Sequence, residues 1–299
     1  MSDQAQSSGV ERRRRVLIAS AAALSDASLD ALQSAAEARF ERLGPGGAWA
    51  PAPAPIDDAA LVRLRAAAPA VDVNALTEAQ AAPKKLLIAD MDSTMITVEC
   101  IDEIADAFGV GALVSEITER AMRGELDFEG ALRERVGLLK GAPVELLEQV
   151  WRERVTLSDG AAQAVGTMGA LGARAALVSG GFTYFTERVA AACGFHEHQA
   201  NTLIEEGGRL TGEPGAPILG REAKLEALER ITGALGASPD DAIAVGDGAN
   251  DLAMIRRAGL GVAYRAKPVV AAEADAQLAH SDLTALLYLQ RIPAARFRA

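Results

Sequence analysis

Cysteine is nearly absent from this 299-residue chain, and aromatic residues are scarce. The only two cysteines, Cys100 and Cys193, do not form a CxxC pair, so a disulfide framework is excluded and a reducing compartment such as the cytoplasm is expected. Aromatic residues make up 4% of the chain and apolar residues 49%, which provides for a buried core. This composition favours helices packed on a sheet over an all-β sandwich.

Positive charge is also in deficit, because the formal net charge is −11 and the isoelectric point is about 4.9. An acidic surface argues against general binding to nucleic acid or to a membrane surface. No run of eighteen apolar residues occurs, so no membrane span is expected. Any site for an anionic ligand therefore has to gain its positive field locally, from a metal ion and a few basic residues.

The first eighty residues predict a small unit of their own. Residues 1–14 are interpreted as a disordered tail. The arginines Arg12–Arg15 and the apolar residues after them are similar to a secretory signal, but a strand at Val16–Ala19 and an amphipathic helix fit better. Apolar residues at helical spacing extend that helix; they are Leu29, Leu32, Ala36, Phe40 and Leu43.

The stretch Gly44–Pro55 is rich in Gly, Pro and Ala, which predicts neither helix nor central strand. Asp57 and Asp58 are expected to cap a following helix, and a short strand is expected near Val71–Val73. Together these elements predict a small N-terminal α/β domain over residues 15–80.

Four apolar runs follow, and each ends in a polar corner. Continuous apolar runs of this length are typical of parallel strands covered on both faces, and helical patterns separate them. We therefore predict an α/β fold with a doubly wound parallel sheet over residues 83–299, with ligands at the carboxyl ends of its strands. The runs are LLIA before Asp90, AALV before Ser179, AIAV before Gly246 and LGVA before Tyr264.

Between Thr97 and Asp159 the strand patterns nearly vanish and four helical patterns take their place. A block of about sixty residues is too long for a simple crossover between strands. We predict a helical cap at about 97–158, lying over the carboxyl edge of the sheet. The helices are expected at Ile101–Phe108, Leu113–Arg123, Phe128–Leu139 and Val144–Val155.

Acidic residues follow two of the predicted strands. Asp90 and Asp92 lie two residues apart, which is costly at the end of a buried strand unless a cation shares them, and Mg²⁺ prefers such oxygen ligands. A carboxylate can also attack phosphorus, and a second one can exchange a proton with the leaving oxygen. Asp247 and Asp251, in GDGAND, add carboxylates at another strand end. Solvated or Gly-rich turns are the alternative for each motif taken alone.

Two further segments suggest an anion site. Ser179, Gly180 and Gly181 provide a hydroxyl and free backbone N–H groups at the start of a helix, although a simple helix cap is the alternative. Lys224 lies in a predicted helix between two glutamates, where a lysine is usually a surface residue.

The order of these motifs resembles that of the haloacid dehalogenase superfamily of phosphatases and, within it, the phosphoserine phosphatases. The resemblance spans Leu86 to about Leu289, and ECIDEIADAFG and RGELDFEGALRERVGLLKG are its most specific parts. It implies a Mg²⁺-dependent phosphomonoesterase that hydrolyses O-phospho-L-serine to L-serine and phosphate through an aspartyl-phosphate. That reaction is the last step of serine biosynthesis.

The resemblance also implies roles for the catalytic residues. It makes Asp90 the nucleophile and a Mg²⁺ ligand. It makes Asp92 the general acid and base, with its backbone carbonyl on the metal, and it makes Asp247 the remaining protein ligand. The residues implied to hold or border the phosphoryl group are Ser179, Gly180, Lys224 and Asn250. Asp251 and Gly181 are expected behind them, with Asp251 orienting Lys224 or a metal-bound water.

Substrate choice is expected to come from the cap. Phosphoserine carries an ammonium and a carboxylate on one carbon, so its site needs an anion and a bidentate cation. The resemblance assigns these roles to Glu99 and Arg135, which would otherwise be solvated helix residues. Met122 and Phe128 are expected to form apolar cap walls that exclude water, with ordinary helix packing as the alternative.

Other functions stay open at this point. Hydrolysis of another small phosphomonoester and phosphoryl transfer to an alcohol such as homoserine both keep the same chemistry. A signalling receiver has a phosphorylated aspartate in a parallel sheet, but it needs neither a cap nor Asp92. Residues 1–80 show a faint resemblance to the regulatory amino-acid-binding domains fused to some family members. A small-molecule substrate, no nucleic-acid or membrane partner, a cytoplasmic location and a monomer or homodimer are expected.

Overall fold

The computed structural model describes residues 14–298. The predicted tail, residues 1–14, therefore lies outside the described residues except for Arg14. The guanidinium of Arg14 pairs with the carboxylate of Asp58 at 2.7 Å, and the N–H of Ile56 donates to the carbonyl of Arg14 at 3.0 Å.

Twelve strands and twelve α-helices make up the described chain. The strands are β1 (Val16–Ser20), β2 (Glu41–Gly44), β3 (Gly47–Pro51), β4 (Asp72–Leu76), β5 (Leu86–Ala89), β6 (Arg174–Phe182), β7 (Glu197–Asn201), β8 (Leu203–Glu206), β9 (Arg209–Pro214), β10 (Ala242–Gly246), β11 (Leu260–Tyr264) and β12 (Ala276–Leu278). The helices are α1 (Asp26–Ala36), α2 (Asp58–Ala67), α3 (Cys100–Phe108), α4 (Gly111–Met122), α5 (Phe128–Leu138), α6 (Glu145–Glu153), α7 (Ala161–Ala170), α8 (Thr183–Cys193), α9 (Glu222–Ala234), α10 (Leu252–Arg257), α11 (Pro268–Ala271) and α12 (Ala285–Tyr288).

The N-terminal strands form an antiparallel sheet in the order β2-β3-β1-β4, packed against α1 and α2. The side chain of Asp57 caps α2 by accepting a hydrogen bond from the N–H of Ala60, as predicted. The predicted strand near Val71–Val73 is present as β4.

Two local predictions for this region are wrong. The helix predicted to reach Leu43 ends at Ala36, because Glu37 adopts a left-handed conformation with φ of 49° and the chain turns into β2. The stretch Gly44–Pro55 contains β3, which lies between β2 and β1 and is therefore a central strand. Its first residue, Gly47, lies so close to the ring of Tyr288 that any Cβ there would collide with it. Contact with a distant part of the chain thus explains a glycine that looked like a strand breaker.

The main sheet has six parallel strands in the order β12-β11-β10-β5-β6-β7. Alternate residues of β5 enter two different hydrophobic clusters, with Leu87 and Ala89 on one face and Leu86 and Ile88 on the other. Helices α7 and α8 contribute to the first cluster, whereas α9 and α10 contribute to the second. Burial on both faces explains the continuous apolar runs, and the predicted α/β fold with a doubly wound parallel sheet is confirmed.

Helices α3 to α6 are inserted between β5 and α7, within one or two residues of the predicted bounds at most ends. The two connections to this insertion run side by side. Ile96 and Leu157 form an antiparallel bridge, and the N–H of Thr97 donates to the carbonyl of Thr156 at 3.0 Å. The predicted domain boundaries stay predictions. They are a small domain over 15–80 and a phosphatase domain over 83–299 with a cap at about 97–158.

The N-terminal sheet meets the main sheet edge to edge. The side chain of Asn74, in β4, donates to the carbonyl of Gln277 at 3.0 Å and accepts from its N–H at 2.9 Å. The carboxylate of Asp72 accepts from the N–H groups of residues 279–281. These polar contacts cover the edge strand β12, which would otherwise present unpaired backbone groups.

Within residues 14–298, no helix combines the length and apolar character that a membrane crossing requires.

Candidate active site

The chain turns sharply after β5, at the segment that contains Asp90 and Asp92. The N–H of Asp90 still bonds to Val245 of the neighbouring strand at 3.0 Å, after which residues Met91–Met95 form a tight turn. Ser93 within that turn has φ of 55°, a left-handed conformation that is uncommon for a residue with a side chain. The turn leaves Asp90 and Asp92 both buried, with 4% and 8% of their surface exposed.

Lys224 lies between the carboxylates of Asp90 and Asp251. Its Nζ lies 2.8 Å from Oδ1 of Asp90 and 2.6 Å from Oδ1 of Asp251. Burial lowers the pKa of Lys224, but the two carboxylates outweigh it and raise the pKa above its usual value. Lys224 is therefore a buried cation and not a surface lysine.

Three carboxylates converge where β5 and β10 end. Oxygen atoms of Asp90, Asp247 and Asp251 all lie within 4.8 Å of one another. Burial, followed by the charge of Asp251, raises the pKa of Asp90 well above its usual range and also raises that of Asp247. Three acids against one ammonium leave the cluster short of positive charge. The donor set, all carboxylate oxygen, fits a hard divalent cation.

The neighbouring turn supports this cluster. The hydroxyl of Thr94 donates to Oδ1 of Asp247 at 3.1 Å, and the N–H of Gly248 donates to Oδ2 of Asp251 at 3.0 Å. Gly246 has no room for a Cβ, because the side chain of Asp251 occupies that position. The glycines of GDGAND therefore let the backbone approach these carboxylates.

Asp92 faces the carboxyl end of β6. Its Oδ2 accepts a hydrogen bond from the hydroxyl of Ser179 at 3.1 Å, and its Oδ1 accepts one from the N–H of Cys100 at 2.9 Å. Burial raises the pKa of Asp92 above its usual value, although these hydrogen bonds oppose the shift. A carboxyl group with a raised pKa at such a position is suited to carry a proton.

The loop after Ser179 is closely packed. The N–H of Gly181 donates to Oγ of Ser179 at 2.9 Å, and a Cβ on Gly181 would lie 2.5 Å from Oδ2 of Asp92. A Cβ on Gly180 would lie 3.0 Å from the ring of Phe128. Neither glycine accepts a larger residue without a shift in its neighbours.

These groups border one cleft between the inserted helices α3–α5 and the carboxyl ends of the main-sheet strands, with a volume of about 950 Å³. Eleven of the thirteen residues singled out from the sequence line it, and the other two, Lys224 and Asp251, bond to each other behind Asp90. The eleven are Asp90, Asp92, Glu99, Met122, Phe128, Arg135, Ser179, Gly180, Gly181, Asp247 and Asn250.

Glu99 and Arg135, the two residues expected to select the substrate, both line the cleft. Glu99 accepts a hydrogen bond from the hydroxyl of Ser93 at 2.7 Å, and burial together with the charge of Asp92 raises its pKa to about 7. Arg135, on α5, donates from Nε to the carbonyl of Ala131 at 3.3 Å, and within residues 14–298 it has no ion-pair partner within 4.0 Å. Burial lowers the pKa of Arg135, and the charge of Asp102 opposes that shift.

The two apolar cap residues differ. Phe128 packs over Gly180, whereas Met122 lies at the end of α4 with 70% of its surface exposed. Sequence reasoning missed three residues that contact the acids, namely Ser93, Thr94 and the backbone of Cys100. The motif DMDST contains the first two, so their hydroxyl groups were the available signal. No feature of the local sequence shows that the backbone N–H of Cys100 donates a hydrogen bond to Asp92.

This chain is similar in sequence and structure to known phosphatases. The haloacid dehalogenase-like hydrolase family matches residues 87–256, which is more than half of the chain. Proteins named phosphoserine phosphatase are 46% identical in Archaeoglobus fulgidus, 48% in Haemophilus influenzae and 47% in a Polaromonas species. The matches cover 71%, 68% and 69% of this chain and 61%, 65% and 89% of those proteins. The chain thus spans less than two thirds of the length of the first two relatives.

Solved structures extend the likeness to the N-terminal sheet. An unliganded probable phosphoserine phosphatase from Vibrio cholerae superposes with a TM-score of 0.79 at 33% identity, covering 95% of this chain and 88% of that one. A phosphoserine phosphatase with bound substrate and a phospho-aspartyl intermediate analogue each give 0.64 at 41% identity. They cover 68% and 69% of this chain and 97% and 98% of their own. The chain belongs to the haloacid dehalogenase-like hydrolase family.

Proposed function

We propose that this protein is a Mg²⁺-dependent phosphatase that hydrolyses O-phospho-L-serine to L-serine and phosphate through an aspartyl-phosphate on Asp90. The observation that carries the proposal is the convergence of Asp90, Asp92 and Ser179 on one cleft that also contains Glu99 and Arg135. The names of the similar proteins support the same substrate.

In the first step, a carboxylate oxygen of Asp90 attacks phosphorus and the bond from phosphorus to the serine oxygen breaks. Asp92 gives its proton to the departing oxygen, which its raised pKa favours. The products of this step are L-serine and the phosphoryl group on Asp90.

In the second step, water attacks phosphorus and gives its proton to Asp92, which returns that group to its starting state. The bond from phosphorus to Asp90 breaks and inorganic phosphate leaves. Ser179, Lys224 and the N–H of Gly180 hold the phosphoryl oxygens through both steps, with Asn250 at the border of the site.

Mg²⁺ would be held by Asp90, Asp247 and the carbonyl of Asp92, where it supplies positive charge that lets the acids stay ionised beside a phosphate dianion. Asp251 would hold Lys224 in position, which agrees with their 2.6 Å contact. Gly181 would leave room for Asp92 behind the phosphoryl group.

Specificity would come from the two charged cap residues. Glu99 pairs with the ammonium of phosphoserine and Arg135 with its carboxylate, as a bidentate fork. Phe128 and Met122 form the apolar walls of the cleft. We further propose a cytoplasmic enzyme of serine biosynthesis, a monomer or homodimer, with a regulatory N-terminal domain over 15–80 and a phosphatase domain over 83–299 capped at about 97–158.

The direct test is turnover of phosphoserine, phosphothreonine and phosphoglycolate by the purified chain with Mg²⁺, with and without homoserine. Preferential release of phosphate from phosphoserine is expected. Formation of phosphohomoserine at the expense of free phosphate would point to a phosphotransferase instead. Absence of turnover with every ester would contradict the proposal.

A further inference from the structure

The phosphate-binding loop is a bulge in the main sheet. In the ladder between β6 and β7, Val178 is opposite Gln199 and Phe182 is opposite Asn201. Three residues of β6 (Ser179, Gly180 and Gly181) therefore face a single residue of β7. Such an insertion interrupts the backbone hydrogen bonds and redirects the side chains and N–H groups of the bulged strand. Something other than the ladder must fix the orientation of this loop.

Asn201 provides that connection. Its side-chain Nδ2 donates to the carbonyl of Gly180 at 2.8 Å, in place of the missing ladder hydrogen bond. Only 1% of Asn201 is exposed, so water cannot take over this contact. A buried carbonyl without a hydrogen bond would be costly. The side-chain amide of Asn201 therefore fixes the direction in which the carbonyl of Gly180 points.

The peptide plane carries this constraint to the site. The carbonyl of Gly180 and the N–H of Gly181 belong to one planar trans peptide and point in opposite directions. Because Asn201 holds the carbonyl, the N–H points the other way, to Oγ of Ser179 at 2.9 Å. Asn201 thereby orients a donor that lies beside the hydroxyl proposed to hold phosphate.

The same side chain also contacts the approach to α9. Oδ1 of Asn201 accepts from the N–H of Leu219 at 2.7 Å, and Nδ2 donates to the carbonyl of Leu219 at 3.3 Å. Leu219 lies three residues before α9, whose first turn contains Lys224. One amide therefore ties together the two segments that contribute the serine hydroxyl and the lysine.

We propose that Asn201 is a positioning residue that sets the distance and orientation between the Ser179 loop and Lys224, and so fixes affinity for the phosphoryl group. This inference rests on the proposed phosphatase function. Asn201 does not line the cleft, so it acts through Gly180 and Leu219 and not by contact with substrate.

The test compares Asn201→Asp and Asn201→Ala with the same changes at Asn74. Asn74 is a matched control, because it is also 1% exposed and also donates to a carbonyl and accepts from an N–H, but at the contact with β12. Asparagine to aspartate keeps the shape and the acceptor for Leu219 while placing a carboxylate oxygen against the carbonyl of Gly180. The measurements are the melting temperature and the inhibition constant of inorganic phosphate with p-nitrophenyl phosphate as substrate.

We expect the Asn201 variants to weaken inhibition by phosphate and to lower kcat, each by about tenfold, the scale of one lost hydrogen bond. The Asn74 variants should lose stability without a change in phosphate inhibition. Unchanged inhibition in folded Asn201 variants, or an equal change in the Asn74 variants, would overturn the inference.

If neither Asn201 variant folds, ¹⁵N-labelled wild-type protein provides the test. The side-chain amide signal of Asn201 should shift on titration with inorganic phosphate while that of Asn74 does not, and an unmoved Asn201 signal would overturn the inference. Failure of the proposed function is distinguishable, because it is decided by wild-type turnover of phosphoserine. Weakened binding of phosphate by the variants, measured by calorimetry, would uphold the role of Asn201 even without that turnover.

Discussion

Lys224 and Asp251 form the most buried ion pair of the site, with Nζ 2.6 Å from Oδ1 and with 3% and 0% of their side chains exposed. A second carboxylate, that of Asp90, lies 2.8 Å from the same ammonium. One ammonium group thus contacts two carboxylates, and Asp247 adds a third carboxylate nearby. Because the cluster has an excess of negative charge, a further cation fits beside it.

Replacement of Lys224 by methionine should destabilise the metal-free protein by about 3–5 kcal/mol, because it leaves Asp90 and Asp251 buried without a partner. Denaturation in urea measures this change. Acids whose pKa is raised in the folded state bind protons more tightly there than in the unfolded chain, so the loss should shrink as the pH falls. Lys85→Met is the control, because Lys85 pairs with Asp241 at the surface at 3.3 Å and should matter by less than about 1 kcal/mol. Equal losses for the two variants would contradict the buried-cation account.

Mg²⁺ should stabilise the protein and be required for turnover. Its binding to the carboxylate cluster raises the melting temperature in proportion to the logarithm of its concentration above the dissociation constant. A chelator should abolish activity, and added Mg²⁺ should restore it. Asp247→Asn should weaken both effects. Full activity in chelator would exclude the metal site.

Arg135 and Arg133 lie on the same helix and provide a paired test of substrate recognition. Arg135 faces the cleft, whereas Arg133 pairs with Glu129 on the surface at 2.7 Å. Arg135→Ala should lower kcat/KM for phosphoserine by about 100-fold, as expected for a lost charge-assisted fork. The same variant should change p-nitrophenyl phosphate hydrolysis far less, and Arg133→Ala should change neither. Equal losses with the two substrates would remove Arg135 from recognition.

The pKa of Glu99, raised to about 7, predicts a pH dependence of substrate affinity. Only the ionised carboxylate attracts the ammonium of phosphoserine, so KM for phosphoserine should rise as the pH falls through about 7. KM for p-nitrophenyl phosphate, which has no ammonium, should lack this dependence. In Glu99→Gln the phosphoserine KM should be high at every pH. A wild-type KM for phosphoserine that does not change with pH would contradict the assignment.

Sequence patterns predicted the main sheet well because each of its buried strands is marked by a continuous apolar run in the local sequence. The run LLIA before Asp90 is buried on both faces, which its continuous apolar character predicts. In a parallel sheet all strands run in one direction, so polar residues that follow such runs lie at the same edge. Asp90, Asp247 and Ser179 could therefore be expected at one edge of the sheet. Their spacing to Lys224 could not, because it depends on how α9 packs.

Two predictions for the N-terminal region were wrong, and one positioning residue of the main sheet was missed. Gly47 lies in a central strand, and the ring of Tyr288, far along the sequence, occupies the space that a side chain at position 47 would need. The helix before Phe40 ends early because Glu37 turns the chain, although Phe40 itself continues the helical spacing. Asn201 carries no local signal, since its partners Gly180 and Leu219 are 21 and 18 residues away.

The most direct test of the account is to trap the covalent intermediate. Wild-type protein mixed with phosphoserine and Mg²⁺ is quenched in acid within one turnover, digested and analysed by mass spectrometry. One phosphoryl group should be found on the peptide that contains Asp90, and Asp90→Asn, although folded, should give neither this species nor turnover. A phosphoryl group on another residue, or activity retained by Asp90→Asn, would contradict the assignment of Asp90 as the nucleophile.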